Sequence, residues 1–230
     1  MRRAFLALLF VGQAFAGEPL PGLPPSPRIL FQGDSITDGN RGRSADLNHV
    51  HGHGFVFLLA ARLGAGAPEQ NATFLNRGVS GHTVLDLARR WPKDTLELKP
   101  DVLSVLIGVN DSSKGVTPEV FEKTYDELLT SARAVNPKLR LVLCEPFLGA
   151  AGPAIDKSPG RRERLALLVP VVRRLAARHG ATLVDFQKVF DDAQSRAPSS
   201  YWIWDGVHPT AAGHQLMADE WERVIRANWR

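Results

Sequence analysis

The sequence predicts a doubly wound α/β fold, a five-stranded parallel sheet with helices on both faces. Three observations carry this expectation. Short apolar, β-rich runs alternate with amphipathic segments of helical period. Apart from one polar residue in each (Arg28, Thr73, Ser104, Arg140 and Thr182), the runs are apolar without alternation, as expected of strands covered on both faces. Three of them lead into polar, glycine-bearing turns, which in such a sheet meet at its carboxyl edge, where ligands bind.

The strand candidates are residues 28–31, 73–75, 102–107, 139–144 and 181–184, each bounded by polar, Gly or Pro residues. Between them, Phe121, Tyr125, Leu128, Leu129, Ala132 and Val135 mark one apolar helix face. Met217, Trp221, Val224, Ile225 and Trp229 mark another, in the last helix, where His214 reads as a helix-face residue. Ser158-Pro159 before Arg161 reads as an N-cap with proline in the first turn. Pro170 falls inside the helical pattern 165–176 and predicts a kink or a split. At 44% hydrophobic and 23% charged, the 230 residues suit one sizeable domain, 28–230.

The first 27 residues differ. Arg2 and Arg3 precede the apolar run 4–11, which ends in Ala14-Phe15-Ala16. A basic start, a short apolar core and an A-x-A ending read as a signal peptide, residues 1–16, and hence export to the periplasm or medium. Residues 17–27, with Pro19, Pro21, Pro24 and Pro25, read as a tether. The apolar run is shorter than the roughly 20 residues a membrane span needs, so the mature chain should hold no span. Cleavage removes two arginines and lowers the formal charge from +4 to +2, with basic residues scattered; no nucleic-acid partner is expected. Oligomeric state is not legible. Cys144 is the single cysteine, so no internal disulfide forms, and its apolar surroundings suggest a buried small hydrophobe.

Chemistry concentrates in four short motifs. Gly33-Asp34-Ser35-Ile36-Thr37 follows the first strand, and Asp205-Gly206-Val207-His208-Pro209 precedes the last helix. A serine hydroxyl becomes a nucleophile only with a base within about 2.6–3.2 Å, and His208 is the natural base. Asp205, three residues earlier, can reach the other ring nitrogen and stabilise the imidazolium. Taken singly, Ser35 and Asp205 could equally be cap or turn residues. The negative charge that acyl transfer places on oxygen calls for preorganised donors. The N–H groups of Ser35 and Gly78 and the amide of Asn110 are candidates, although a turn glycine and a turn asparagine would serve structure alone.

Two patterns compete weakly. Gly78-Val79-Ser80-Gly81 mimics a Gly-x-Ser-x-Gly elbow, but Gly81 falls one position early, leaving Ser80 as an alternative nucleophile. His49, His51 and His53 alternate and could ligate a metal, although no Cys or acidic partner adjoins them. A glycine-loosened pocket loop is the favoured reading.

The four motifs in order resemble the SGNH (GDSL-type) hydrolase superfamily, through Gly33-Asp34-Ser35, Gly78 within Asn76-Arg77-Gly78-Val79-Ser80-Gly81, Gly108-Val109-Asn110-Asp111, and Asp205 to His208. The resemblance implies a three-layer α/β/α flavodoxin-like sheet. It also implies Ser35 as nucleophile, His208 as base oriented by Asp205, an oxyanion hole of Ser35, Gly78 and Asn110, and no metal or organic cofactor. The wider context, with Arg90-Trp91 and Trp204 before Asp205, looks like bacterial carbohydrate acetylesterases of the acetylxylan-esterase type. That implies removal of O-acetyl groups from xylan or its oligosaccharides. Such enzymes often carry Asn where His82 stands. Asp34, His82, Trp91, Trp202 and Trp204 are the candidates for substrate contact, the tryptophans because aromatic faces stack on sugar rings; a core role is the competing reading. No lid segment is evident, which favours a short acyl group. The alternatives are a lysophospholipase or acyl-thioesterase of the same superfamily, or an inactive carbohydrate-binding relative.

Overall fold

The computed structural model describes residues 18–230. Five strands, β1 (Arg28–Gly33), β2 (Thr73–Asn76), β3 (Val102–Leu106), β4 (Arg140–Cys144) and β5 (Thr182–Val184), form one sheet of order β2-β1-β3-β4-β5. Every pairing is parallel. The expected strands are met within one or two residues at either end. The sheet thus has β2 and β5 at its edges and β1 and β3 inside, and the reversal of winding lies between those two, as a ligand crevice requires.

Alternation along each strand divides the core in two. Ile29 and Phe31 point into a layer with Phe55, Phe186 and Trp221, whereas Leu30 joins Trp91, Tyr125 and Leu129 on the other face. The first layer is built by α2 (Phe55–Gly66), α8 (Phe186–Ala193) and α10 (Ala211–Asn228). The second is built by α3 (Val84–Trp91), α5 (Pro118–Val135) and α7 (Arg161–Arg178). This is the three-layer α/β/α arrangement. Trp221 shows how the centre tolerates polar atoms: its indole N–H donates to Ser104 Oγ at 3.0 Å in the middle of the sheet. Cys144 is buried beside the same serine, and burial pushes its thiol up to about 12.

Local expectations were met unevenly. Thr83 and Asp86 close a capping box on α3, and Thr210 accepts from Gly213 N to start α10. Ser158 is not the cap of α7; Gly160 is, at φ 72°, a left-handed conformation that glycine takes without strain. Pro170 does not split α7. It sits on the exposed face, so the Ala166 carbonyl it leaves without an amide partner also faces solvent.

The expected signal peptide lies outside the described residues. From residue 18 on, the stretch expected to be a tether is instead fastened to the domain. Leu20 is buried in the core, its N–H and C=O both bonded to the Gln70 side chain at 3.2 and 3.0 Å. Arg226 holds the carbonyls of Glu18 and Pro19. Among the described residues no helix is long and apolar enough to cross a membrane.

Candidate active site

The carboxyl ends of β1, β2 and β3 deliver the three turn motifs to one edge, and the loop before α10 brings the fourth. Asp34 caps the one-turn helix α1 (Ser35–Asp38), accepting from Ile36 N at 3.0 Å, so that Ser35 stands as its first residue. In a first turn the amides have no intrahelical acceptor, which leaves the Ser35 N–H directed at the sheet edge. The short helix α9 (Ser199–Trp202) and an antiparallel bridge between Ile203 and Pro209 pinch the 204–208 loop closed. Trp204 N bonds His208 O at 3.1 Å across its neck.

Ser35 Oγ lies 2.9 Å from His208 Nε2, and His208 Nδ1 lies 2.7 Å from Asp205 Oδ2. A carboxylate only accepts, so Nδ1 carries the hydrogen and Nε2 is left to accept from the serine. Asp205 Oδ1 accepts from the Val207 and His208 amides at 2.9 and 2.7 Å. Burial opposes ionisation of Asp205, but these bonds outweigh it and hold the carboxyl below its ordinary 3.8. The result is an aspartate kept ionised and a histidine kept in one tautomer. Such an arrangement can take a proton from Ser35 and return it to a leaving group.

Asn110 opens α4 (Val109–Lys114) and donates one amide hydrogen to His82 O at 3.0 Å; its Nδ2 has a second to offer. Gly78 departs from expectation. Its N–H is engaged by Asn76 Oδ1 at 2.9 Å, while Asn76 Nδ2 bonds Thr37 O and His51 O at 2.7 and 2.9 Å. A glycine is required at 78 for another reason: a Cβ there would collide with the Asp38 backbone. Ser80, the alternative nucleophile, donates its hydroxyl at 2.9 Å to Asp38 Oδ2, a carboxylate already held by Arg43, and among the described residues it bonds no histidine.

The substrate-contact candidates separate. Trp204 is 62% exposed and lines a cleft of about 340 Å³ with Ser35, His208, Asn40, His53 and Ser80. Trp91 does not reach it; it is core, its indole bonded to Ser131 Oγ at 3.1 Å between α3 and α5. Trp202 is also buried, donating to the Ala193 and Ala197 carbonyls. Asp34 lies beneath the site and not in it. Its Oδ2 has no partner, and burial, reinforced by nearby Asp111, pushes the carboxyl up to about 7 against the pull of the Ile36 amide and Arg161. His82 accepts from Arg90 Nε at 3.1 Å and holds Asn110 through its carbonyl; burial and the Arg90 charge lower its pKa.

The histidines also separate. His49 is exposed, His51 contributes its carbonyl to Asn76, and His53 faces the cleft. Among the described residues no group of three or more His, Cys, Asp or Glu could hold a metal. His214, expected on a face of the last helix, lies on its inner one. It is buried, accepts Phe55 N–H at Nδ1 (3.2 Å), and is driven down to about 4 by burial and by the nearby His53 and His208. His53 lies in the loop the sequence marked as a pocket loop, whereas Asn40 and His214 carry no sequence signal for the site, because only the return of the 39–53 loop onto α10 brings them there.

A parallel α/β sheet with serine, histidine and aspartate linked at its carboxyl edge has the arrangement of a serine hydrolase. The chain belongs to the GDSL-like Lipase/Acylhydrolase family, which it matches over residues 31–216. It is 31% identical over 214 residues to an acetylxylan esterase of Geobacillus stearothermophilus, covering 88% of this chain and 95% of that one. A crystal structure of an acetylxylan esterase from the same organism superposes with a TM-score of 0.77 at 30% identity, over 87% of this chain and 94% of that one. A protein of Parabacteroides merdae named as a GDSL-like lipase gives 0.83 at 38% identity, over 90% and 99%. The chain is accordingly a carboxylic ester hydrolase of the acetylxylan-esterase-like branch.

Proposed function

We propose that this protein is an exported serine esterase that removes O-acetyl groups from carbohydrate, with acetylated xylan or its oligosaccharides as the substrate class. The observation that carries the reading is the continuous chain Ser35–His208–Asp205, 2.9 and 2.7 Å per link, opening into a small cleft under an exposed tryptophan. The similarity to acetylxylan esterases supports the acetyl and sugar parts of it. Export rests on Arg2, Arg3, the apolar run 4–11 and Ala14-Phe15-Ala16.

In this reading Ser35 Oγ attacks the acetyl carbonyl carbon while His208 Nε2 takes its proton. The carbonyl π pair moves to oxygen, where the Ser35 N–H and Asn110 Nδ2 donate to it, with the Gly78 N–H shared between it and Asn76 Oδ1. Collapse breaks the bond to the sugar oxygen, which receives the proton from His208 and leaves. Water, deprotonated by the same histidine, attacks the acetyl-serine; collapse breaks the bond to Ser35 Oγ, which takes that proton back from His208, and acetate leaves. Asp205 stays ionised throughout and stabilises the imidazolium. Trp204 offers a flat face on which the sugar ring stacks.

The test is acetate release from acetylated xylan and xylo-oligosaccharides, beside hydrolysis of p-nitrophenyl esters from C2 to C12. Rapid acetate release with a steep fall beyond C3 is expected, and its loss in a folded Ser35→Ala variant. A preference for C6 or longer without acetate release would replace the substrate by a lipid or thioester while keeping the triad. Substantial turnover by Ser35→Ala would reject the nucleophile.

A further inference from the structure

We propose that the hollow between the 39–53 loop and the open edge of β2 binds a sugar bearing a carboxylate, a uronate carried by the same carbohydrate whose acetyl group enters the cleft. The proposal rests on the carbohydrate reading above and narrows it to acidic chains.

The hollow has a volume of about 870 Å³, larger than the cleft, and contains neither Ser35 nor His208. That volume lies within the range of roughly 300–1,000 Å³ usual for small-molecule sites. Its existence follows from Asp38. This buried aspartate, at the end of α1, binds Arg43 through both oxygens (3.0 and 2.8 Å) and the Arg41 amide, turning the loop back so that it stands off the edge strand. Into the gap come three guanidinium groups, from Arg41, Arg43 and Arg77.

Only one of the three is neutralised. Arg43 has Asp38. Arg41 donates Nε to Gly78 O at 3.0 Å, and Arg77 donates Nη1 to Asn76 O at 3.3 Å; among the described residues neither forms a salt bridge. The other carboxylate on the wall, Asp94, is paired with Arg90 at 3.3 Å. Burial, with Arg43 and Arg77 nearby, pushes Arg41 down to about 10, against the pull of Asp38 and Asp94. Two half-buried positive charges therefore face a concave space whose one lining carboxylate, Asp94, is engaged by Arg90, and among the described residues neither charge has a carboxylate bonded to it. A carboxylate accepts from a guanidinium through both oxygens, which makes it the matching ligand group.

Two further features point to a sugar on that carboxylate. Leu47, 83% exposed, and Phe57 line the same hollow and offer apolar surface to the C–H face of a pyranose ring. Hollow and cleft adjoin at the end of α1: Asn40 lines the cleft and Arg41, the next residue, lines the hollow, while Asp38 Oδ2 accepts both from Ser80 of the cleft and from Arg43 of the hollow. A short oligosaccharide with its acetyl at Ser35 can therefore lay an acidic neighbour against Arg41 and Arg77.

Calorimetric titration of the full chain with D-glucuronate, D-glucose and inorganic phosphate tests the site directly. The second measurement compares kcat and KM on acetylated xylo-oligosaccharides with and without a glucuronate branch. Glucuronate is expected to bind and glucose not to. Arg77→Gln, which loses only a bond to the neighbouring carbonyl and so keeps the fold, should weaken glucuronate by roughly tenfold. The same variant should raise KM for the branched oligosaccharide relative to the unbranched one, with little change in the kcat ratio. Phosphate binding as tightly as glucuronate would overturn the sugar assignment. Absent glucuronate binding, or a Kd indifferent to Arg77→Gln, would overturn the site, as would a dimer broken by Leu47→Glu, which shows a second copy filling the hollow. Glucuronate bound normally by an enzyme that cleaves p-nitrophenyl acetate but no acetylated carbohydrate would sink the substrate reading instead.

Discussion

Two buried aspartates flank the reacting residues, and they have opposite fates. Asp205, in the loop before α10, accepts two backbone amides and the His208 ring, and stays ionised below its ordinary pKa. Asp34, in the turn after β1, accepts the Ile36 amide, has one oxygen with no partner, and rises to about 7. Both are nearly inaccessible. Burial alone therefore does not decide charge; the count of donors does. One aspartate is bonded to the His208 ring, where the proposed mechanism has it support the imidazolium, and the other is a cap under strain from its own desolvation.

The largest expected effect is on the first of these. Asp205→Asn keeps the size and the acceptor for the backbone amides but cannot hold the Nδ1–H tautomer. A loss of about 10³–10⁴ in kcat is expected, with KM little altered. Retention of more than a tenth of wild-type kcat would mean that His208 is oriented by something else.

The next contrast is between two tryptophans two residues apart. Trp202 is core and Trp204 is surface. Trp202→Ala should cost about 3–5 kcal/mol of stability, read from denaturant midpoints. An unchanged midpoint would contradict its burial.

Asp34 predicts a pH dependence of opposite sign to Asp205. In the unfolded chain it ionises near 3.8, in the folded one near 7. Its contribution is complete below pH 3.8, is lost as pH rises towards 7, and stays lost above. For Asp205, with its folded pKa depressed, stability is present above 3.8 and lost as pH falls below it. His214 acts in the same direction as Asp205 but higher, losing its contribution as pH falls from 6.5 towards 4. Asp34→Asn keeps an N-cap acceptor and removes the buried charge, so the variant should gain on wild type between pH 4 and 8 by the order of 1–3 kcal/mol. A stability difference independent of pH would show Asp34 to be ionised throughout.

These contrasts also explain what was legible beforehand. The strands were, because an apolar run covered on both faces has one plausible role, and β1 to β5 end within two residues of expectation. So was the meeting of Ser35, His208 and Asp205, because those three residue types in motifs at one sheet edge are chemically rare together. Exposure was not. Trp91, Trp202 and Trp204 carry the same local signal, and only the packing of α3 on α5 and the pinch at Ile203 and Pro209 bury two of them. Nor were the competitors for a hydrogen bond: Asn76 takes the Gly78 amide because its side chain is trapped between Thr37 and His51, a contact made across 25 to 39 residues.

The smallest effect belongs to Trp204, and it is the most selective. Its side chain is free of the core, so Trp204→Ala should leave the denaturant midpoint within about 0.5 kcal/mol. Because Trp204 bonds His208 only through its backbone N–H, which alanine keeps, hydrolysis of p-nitrophenyl acetate should change by no more than roughly twofold. If the indole carries a sugar ring, KM for acetylated xylo-oligosaccharides should rise by about three- to tenfold, the range that one exposed aromatic contact provides. Equal losses on both substrates would place Trp204 in support of the catalytic loop instead. No loss on either would move the sugar to the other wall of the cleft, at Asn40 and His53. Within the proposed function, Trp204 is thus the residue at which sugar recognition separates from acyl chemistry.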